Sequence, residues 1–317
     1  MSVIRFIPVY DRKVWGGRSF EKMGRVLPDG RIGESREVFD FPDESSVVAS
    51  GKYAGETFRS VLEKHPAEIM GAGWNKKDPF PIVVKLLDCR RRLSLQVHPS
   101  EAAARKLSSR KKSEAWYFLK TSGRATYESG IRAGESRETL LGRIKDFTLE
   151  KTLISYKSSE GDFIFIPAGV LHGTGAGNII LEIGENSDYT YRVYDWGRLD
   201  LNGEPRKLHI DEALESVDLE PACQPVPVPD GGETSCELVN AREFRIWRRM
   251  LKNGETFTFG AQEQPRLVSV VKGSLLSDDG VRVSEYETVL LPYCDSAVFK
   301  ALKDSILIVT DGFAGNS

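Results

Sequence analysis

Residues 161–172 read Gly-Asp-Phe-Ile-Phe-Ile-Pro-Ala-Gly-Val-Leu-His, and no other run limits the possible folds as strongly. Gly161 and Asp162 make a turn. Phe163 to Ile166 are apolar without a break, as in a strand covered on both faces. Pro167 and Gly169 then end the strand, and the chain delivers a single histidine, His172. Histidine is scarce here, with four in 317 residues, so the position of each one carries information. His98 stands in Leu95-Gln96-Val97-His98-Pro99, which is also strand-like. Alternation along a strand sends Gln96 and His98 to one side and Leu95 and Val97 to the other. A third piece, Lys112-Ser113-Glu114-Ala115-Trp116-Tyr117-Phe118-Leu119, opens a strand on a carboxylate.

Two histidines, one carboxylate and one amide suit a borderline divalent ion such as zinc, which takes neutral imidazole nitrogen at about 2.0–2.1 Å and carboxylate oxygen at a similar distance. In an antiparallel barrel Gln96, His98, Glu114 and His172 can converge on the interior. A lone histidine after a strand is more often a packed residue, and Gln-x-His alone is weak. The Gly-Asp-x4-Pro-x-Gly-x2-His pattern is far more specific, because turn, strand and ligand are all fixed. His65 and His209 lack such spacing and read as ordinary residues. Glu182 lies inside the apolar run Ile179-Ile180-Leu181-Glu182-Ile183, where an unpaired carboxylate is costly. It either faces a polar cavity or holds a firm partner. In Asp188-Tyr189-Thr190-Tyr191-Arg192-Val193-Tyr194-Asp195, alternation puts Thr190, Arg192 and Tyr194 on one side. Arg192 is a natural anion clamp, or else a partner of Asp188 or Asp195. The basic run Arg110-Lys111-Lys112, beside a metal ligand, can attract phosphate.

A net charge of −2 argues against a nucleic-acid partner, and the longest apolar runs are strand-sized, which argues against a membrane span. The first ten residues carry no secretory core. Four scattered cysteines, with no C-x-x-C pair, fit reduced thiols and a cytoplasmic protein. Thr57 caps a short helix presenting Phe58, Val61 and Leu62, Ser100 caps one over 101–107, and a third is expected over 135–144. Strands are expected over 115–119, 153–156, 162–166, 179–183 and 189–194. Many short strands between Gly/Pro turns indicate an all-β barrel or sandwich with a helical insertion. Residues 221–235, rich in proline and glycine, read as a linker. It divides a first domain over 1–220 from a smaller β domain over 236–317, which repeats the turn-strand-proline rhythm without any histidine.

Taken together, Val14-Trp15-Gly16-Gly17, Leu93-Ser94-Leu95-Gln96-Val97-His98-Pro99, Lys112-Ser113-Glu114-Ala115-Trp116-Tyr117, Pro167-Ala168-Gly169-Val170-Leu171-His172 and Thr190-Tyr191-Arg192-Val193-Tyr194-Asp195 resemble the type I phosphomannose isomerases in their short bacterial and archaeal form. The resemblance covers roughly the first two-thirds of the chain. It implies a mainly β cupin (jelly-roll) barrel with a small helical insertion, followed by a smaller, metal-free cupin-like β domain. It implies interconversion of mannose 6-phosphate and fructose 6-phosphate by an aldose–ketose isomerase with one bound zinc ion. By position, Gln96, His98, Glu114 and His172 become the zinc ligands. Arg192 falls in the active site, Glu182 falls where the family carries a carboxylate for proton transfer, and Ser94, Lys112 and Arg198 fall around the phosphate. The chain departs from the pattern in Gly33-Glu34-Ser35-Arg36, where relatives carry Gly-Glu-x-Trp, and in an additional carboxylate, Glu185. The expected partner is a sugar phosphate, in a protein that is a monomer or a homodimer. An isomerase of a related unphosphorylated sugar and a non-catalytic sugar-binding cupin are the alternatives.

Overall fold

The computed structural model describes residues 3–220 and 234–314. The chain forms two compact units: one takes residues 10–35 and 85–227, the other residues 1–9, 36–84 and 228–317. These boundaries differ from the division at 221–235 expected from the sequence. Residues 221–233 lie outside the described part, and Ser235, expected in the linker, already opens the strand Ser235–Asn240.

The first of these units is built on two antiparallel sheets. The six-stranded sheet runs in the order Phe163–Ile166, Glu114–Thr121, Asn178–Glu185, Ile82–Cys89, Ile32–Val38 and Val9–Gly17. The five-stranded sheet runs Tyr191–Tyr194, Leu95–Val97, His172–Thr174, Thr126–Ile131 and Leu153–Lys157. Trp116, Phe118, Ile164 and Ile180 of one sheet share a buried cluster with Tyr127 of the other. The opposite face of the five-stranded sheet is closed by helices. Leu95, Val97 and Val193 pack there with Leu140 and Ile144 of the helix Arg137–Lys145, and with Ala213 of the helix Ile210–Ser216. Truncating buried Leu95 or Leu140 to Ala costs about 2–5 kcal/mol. The alternation expected for Leu95-Gln96-Val97 therefore holds, with leucine and valine on the helix side.

Local chemistry explains most helix boundaries. The Thr57 hydroxyl accepts from the Ser60 amide at 3.2 Å and caps Phe58–Lys64. Ser100 accepts from the Ala103 amide at 3.2 Å and caps Glu101–Lys106. The third helix begins two residues later than expected, because Ser136 provides its cap. Two helices carried too little pattern to be expected: Pro66–Met70 and Ile210–Ser216 are one or two turns long.

The other unit combines a seven-stranded sheet with a four-stranded one, whose order is Thr256–Phe259, Ala297–Ala301, Ser274–Ser277 and Arg282–Ser284. The N-terminal strand Ile4–Ile7 belongs to the larger sheet, with Ile4 opposite Leu290 and Arg5 opposite Val289. Val268, Val270, Leu275, Phe299 and Leu307 are among the fully buried residues of its core.

Candidate metal centre and its cavity

Strand register brings together residues far apart in the chain. His172 pairs with Gln96 between neighbouring strands, and Gln96 pairs on its other side with Arg192. Glu114 lies opposite Ile166 and, across the other edge of its strand, opposite Gly184. The Pro167-Ala168-Gly169 turn then fixes the approach to His172. Gly169 takes a φ of +94°, which disfavours any side chain, and its amide donates to the His98 carbonyl at 3.0 Å.

His98, Glu114 and His172 are all buried, and one potential ligand atom of each lies within 4.8 Å of the others. The tautomers follow from the backbone. His98 Nδ1 is 2.9 Å from the Tyr189 carbonyl, and His172 Nδ1 is 2.9 Å from the Val170 carbonyl. A carbonyl only accepts, so each Nδ1 carries a proton. Each Nε2 faces the Glu114 carboxylate, at 3.0 Å from His98 to Oε2, a hydrogen-bond distance, and 3.4 Å from His172 to Oε1. Burial pushes His172 down to about 4, against the pull of Glu114, so its ring is neutral near pH 7. Glu114 Oε1 has no hydrogen-bond donor. The neutral His172 Nε2 and Glu114 Oε1 are both acceptors, and two buried acceptors facing each other are repulsive unless a cation lies between them. Two imidazoles and a carboxylate are a donor set suited to a borderline divalent ion.

The cluster opens on a cavity of about 320 Å³, lined in part by His98, Gln96 and Ser94. Lys112 Nζ bridges Glu114 at 2.6 Å and Glu182 at 2.9 Å. Burial opposes its charge, but the two carboxylates outweigh burial and hold the ammonium above its ordinary range. Glu182 thus has both features that its apolar strand demanded: a wall of the cavity and a firm cationic partner. Glu34 forms a second bridge, 3.2 Å from Lys13 and 3.4 Å from Lys85. Burial would raise its pKa, yet the Lys85 and Lys13 ammonium groups bring it down to about 2.

Arg192 also faces this cavity. Its Nη1 donates to the Lys207 carbonyl at 2.9 Å, and its buried Nε has no partner. Burial, then the neighbouring Arg206, lowers its pKa. It pairs with neither Asp188 nor Asp195. Arg198, expected around the phosphate, is not among the lining residues. Its guanidinium is spent on Asp195, at 2.6 Å, and on the Arg92 carbonyl. Arg206 binds the same Asp195 and takes a place in the cavity wall instead. Glu185 is likewise absent from the lining, because its carboxylate accepts from the Ser113 amide at 2.8 Å and meets Lys111 at 3.4 Å.

Glu34, Lys13, Lys85, Asp188 and Arg206 line the cavity without having been singled out as site residues. Lys85 carried a usable signal, a lone charge in the apolar run 80–87, the same signal that marked Glu182. Arg206 sits in an irregular loop and carried none.

Fold and site define a mainly β protein of the cupin type, with a buried histidine–carboxylate cluster opening on a cation-rich cavity. Residues 3–119 match the family model for the phosphomannose isomerase type I catalytic domain. The chain is 33% identical over 242 residues to the mannose-6-phosphate isomerase of Streptococcus mutans, covering 75% of each chain. The crystal structure of the mannose 6-phosphate isomerase from Bacillus subtilis superposes with a TM-score of 0.87 at 29% identity, covering 98% of this chain and 99% of that one. A mannose 6-phosphate isomerase structure bound with zinc and yttrium shares the fold, with a TM-score of 0.74 at 15% identity over 98% of this chain and 99% of that one. The chain belongs to the type I phosphomannose isomerases and is an aldose–ketose isomerase. No helix among the described residues is long and apolar enough to cross a membrane.

Proposed function

We propose that the protein interconverts mannose 6-phosphate and fructose 6-phosphate through a cis-enediol. In this reading His98, Glu114, His172 and Gln96 hold one zinc ion. The convergence of two buried imidazole Nε2 atoms on the Glu114 carboxylate, whose Oε1 has no donor, carries the metal assignment. Gln96 supports it from the side: its amide lies 3.4 Å from His172 Nε2, and a half-turn of that amide would present oxygen instead. Bound zinc would act as a Lewis acid toward the oxygens on C1 and C2.

The chain's own residues account for the rest of the chemistry. In this reading Glu182 carries the proton between C1 and C2, and Lys112 orients its carboxylate from 2.9 Å. Ser94, beside Gln96 at 3.2 Å, offers a hydroxyl to the sugar. Arg192 brings a guanidinium with an unpartnered nitrogen to balance anionic charge on the substrate. The buried Cys89 and the unpaired Cys236 and Cys294 accord with a reducing, cytoplasmic setting.

A coupled assay for fructose 6-phosphate, run before and after EDTA and again with zinc restored, tests this reading. Turnover should vanish with the metal and return with it. Glu182→Gln should lose about 10²–10⁴-fold in kcat while keeping its zinc, the range for a general base. No turnover with any divalent metal would refute the isomerase reading, and full activity in Glu182→Gln would refute the role of that carboxylate.

A further inference from the structure

Three strands of the six-stranded sheet run out beside Ser113. Glu114 is the first residue of Glu114–Thr121, and it pairs with Ile166 on one side and Gly184 on the other. One residue earlier, Ser113 is buried and held on both sides by bonds that involve side chains. Its amide donates to Glu185 Oε2 at 2.8 Å, and its carbonyl accepts from the Glu185 amide at 3.0 Å. Its hydroxyl accepts from the Ala168 amide at 3.2 Å. The Ser187 hydroxyl adds a tie to the Arg110 carbonyl at 3.3 Å. Lys111 Nζ stands 3.4 Å from Glu185 Oε1, so this clasp carries its own counter-charge.

Neighbouring residues of an extended chain point to opposite sides, so fixing Ser113 aims the two side chains that flank it. Both lead to the metal cluster. Glu114 belongs to it, and Lys112 Nζ lies 2.6 Å from Glu114 and 2.9 Å from Glu182. On its other side Ser113 reaches the Pro167-Ala168-Gly169 turn. The next amide of that turn, of Gly169, donates to the His98 carbonyl, and the chain arrives at His172 three residues later. One serine and one turn therefore tie the main chain at His98, Glu114 and His172, each from a separate segment. Glu185, the carboxylate by which this chain departs from the family pattern, closes the clasp from outside the cavity. A charged acceptor binds an amide more strongly than a neutral one, and its loss leaves the buried Ser113 N–H without an acceptor.

Resting on the metal reading above, we infer that Ser113 and Glu185 are positioning residues of the metal centre. They set the Glu114 carboxylate and Lys112 against the turn that delivers His172. Neither touches the metal or the sugar. Groups that hold metal ligands in place change metal affinity by about 10–100-fold when removed.

The test uses the full-length protein with zinc alone, in competition with a chromophoric chelator. Ser113→Ala and Glu185→Ala should each weaken zinc binding about tenfold, the lower end of that range. Glu185→Gln keeps an oxygen for the Ser113 amide and should recover most of the affinity lost in Glu185→Ala. Because both residues act through one segment, the double variant should lose less than the roughly hundredfold product of two independent effects. Glu185→Ala, at a side chain one-fifth exposed, carries the test if Ser113→Ala does not fold. A role in stability alone predicts a lower urea midpoint for the metal-free variants with zinc affinity unchanged, and that result would overturn the positioning role. Equal losses in Glu185→Gln and Glu185→Ala would overturn it too, by tracing the effect to charge rather than to the clasp. A wild-type protein that binds no zinc would refute the metal reading and the positioning role with it, whereas zinc binding by wild type at the same affinity as the alanine variants would refute the positioning role alone.

Discussion

Glu34 keeps its charge between two ammonium groups, and that arrangement has a measurable consequence in acid. Its carboxyl is held at about 2 when folded, because Lys85 and Lys13 outweigh the effect of burial. In the unfolded chain it titrates near 4.5, so the unfolded state binds the proton first as pH falls. The stabilisation is complete above pH 4.5 and drains away below it. Between pH 5 and pH 3 the loss should reach about 1–2 kcal/mol, allowing for the partial exposure of the pair. Urea unfolding of wild type and Glu34→Gln at several pH values reads this directly. The stability gap between them should narrow in acid, and a gap independent of pH would show that the two bridges contribute nothing. The same residue marks the limit of reading a site from sequence. His98 and His172 were legible because histidine is rare and their turns are fixed, whereas Glu34 and Lys85 meet only through folding, 51 positions apart.

Strand pairing, rather than any single motif, sets the spacing within the metal cluster. Gly184 faces Glu114 across the pair Asn178–Glu185 and Glu114–Thr121. A Cβ at position 184 would stand 3.0 Å from Glu114 Cβ and 3.1 Å from Lys112 Cε. The lysine chain can swing aside, but Glu114 Cβ is carried by the backbone and must move with its strand. Gly184→Ala should therefore leave the protein folded and reduce zinc affinity by about tenfold, at the lower end of the effect of disturbing a ligand's support. Competition with a chromophoric chelator would measure it, and unaltered affinity would mean that the strand pair yields without moving the carboxylate. Most elements of this sheet were legible from apolar runs between Gly and Pro turns, including the strand that carries Glu182. The strand Thr126–Ile131 of the five-stranded sheet was not: its Thr-Tyr-Glu-Ser-Gly-Ile sequence is half polar although five of its six residues are buried. Glu128 in that strand is buried, with Arg92 3.6 Å away. Charges satisfied by distant partners erase the alternation on which a sequence reading depends.

At the scale of the whole chain, the sequence suggested two consecutive domains, while the compact units interleave. Residues 1–9 and 36–84 join the C-terminal strands, and the chain crosses from one unit to the other within the strands Ile32–Val38 and Ile82–Cys89. No composition shift marks such crossings, because both are continuous strands in sequence and in structure. Pairing of Ile4 with Leu290 is equally invisible locally, since it joins the two ends of the chain. The interleaving raises a question of cooperativity that metal removal can answer. His98, Glu114 and His172 all belong to the unit of residues 10–35 and 85–227. A metal that binds only the folded site stabilises it by about 4 kcal/mol at a thousandfold excess over Kd. Stripping it with EDTA should speed amide exchange in Leu95–Val97 and His172–Thr174 by up to about a thousandfold, wherever exchange requires the site to open. In Arg266–Lys272 and Ser305–Asp311, central strands of the other unit, the rates should stay as they were. Equal acceleration in all four segments would mean that the two units open as one body, with the strands that cross between them transmitting the loss of the metal to the C-terminal sheet.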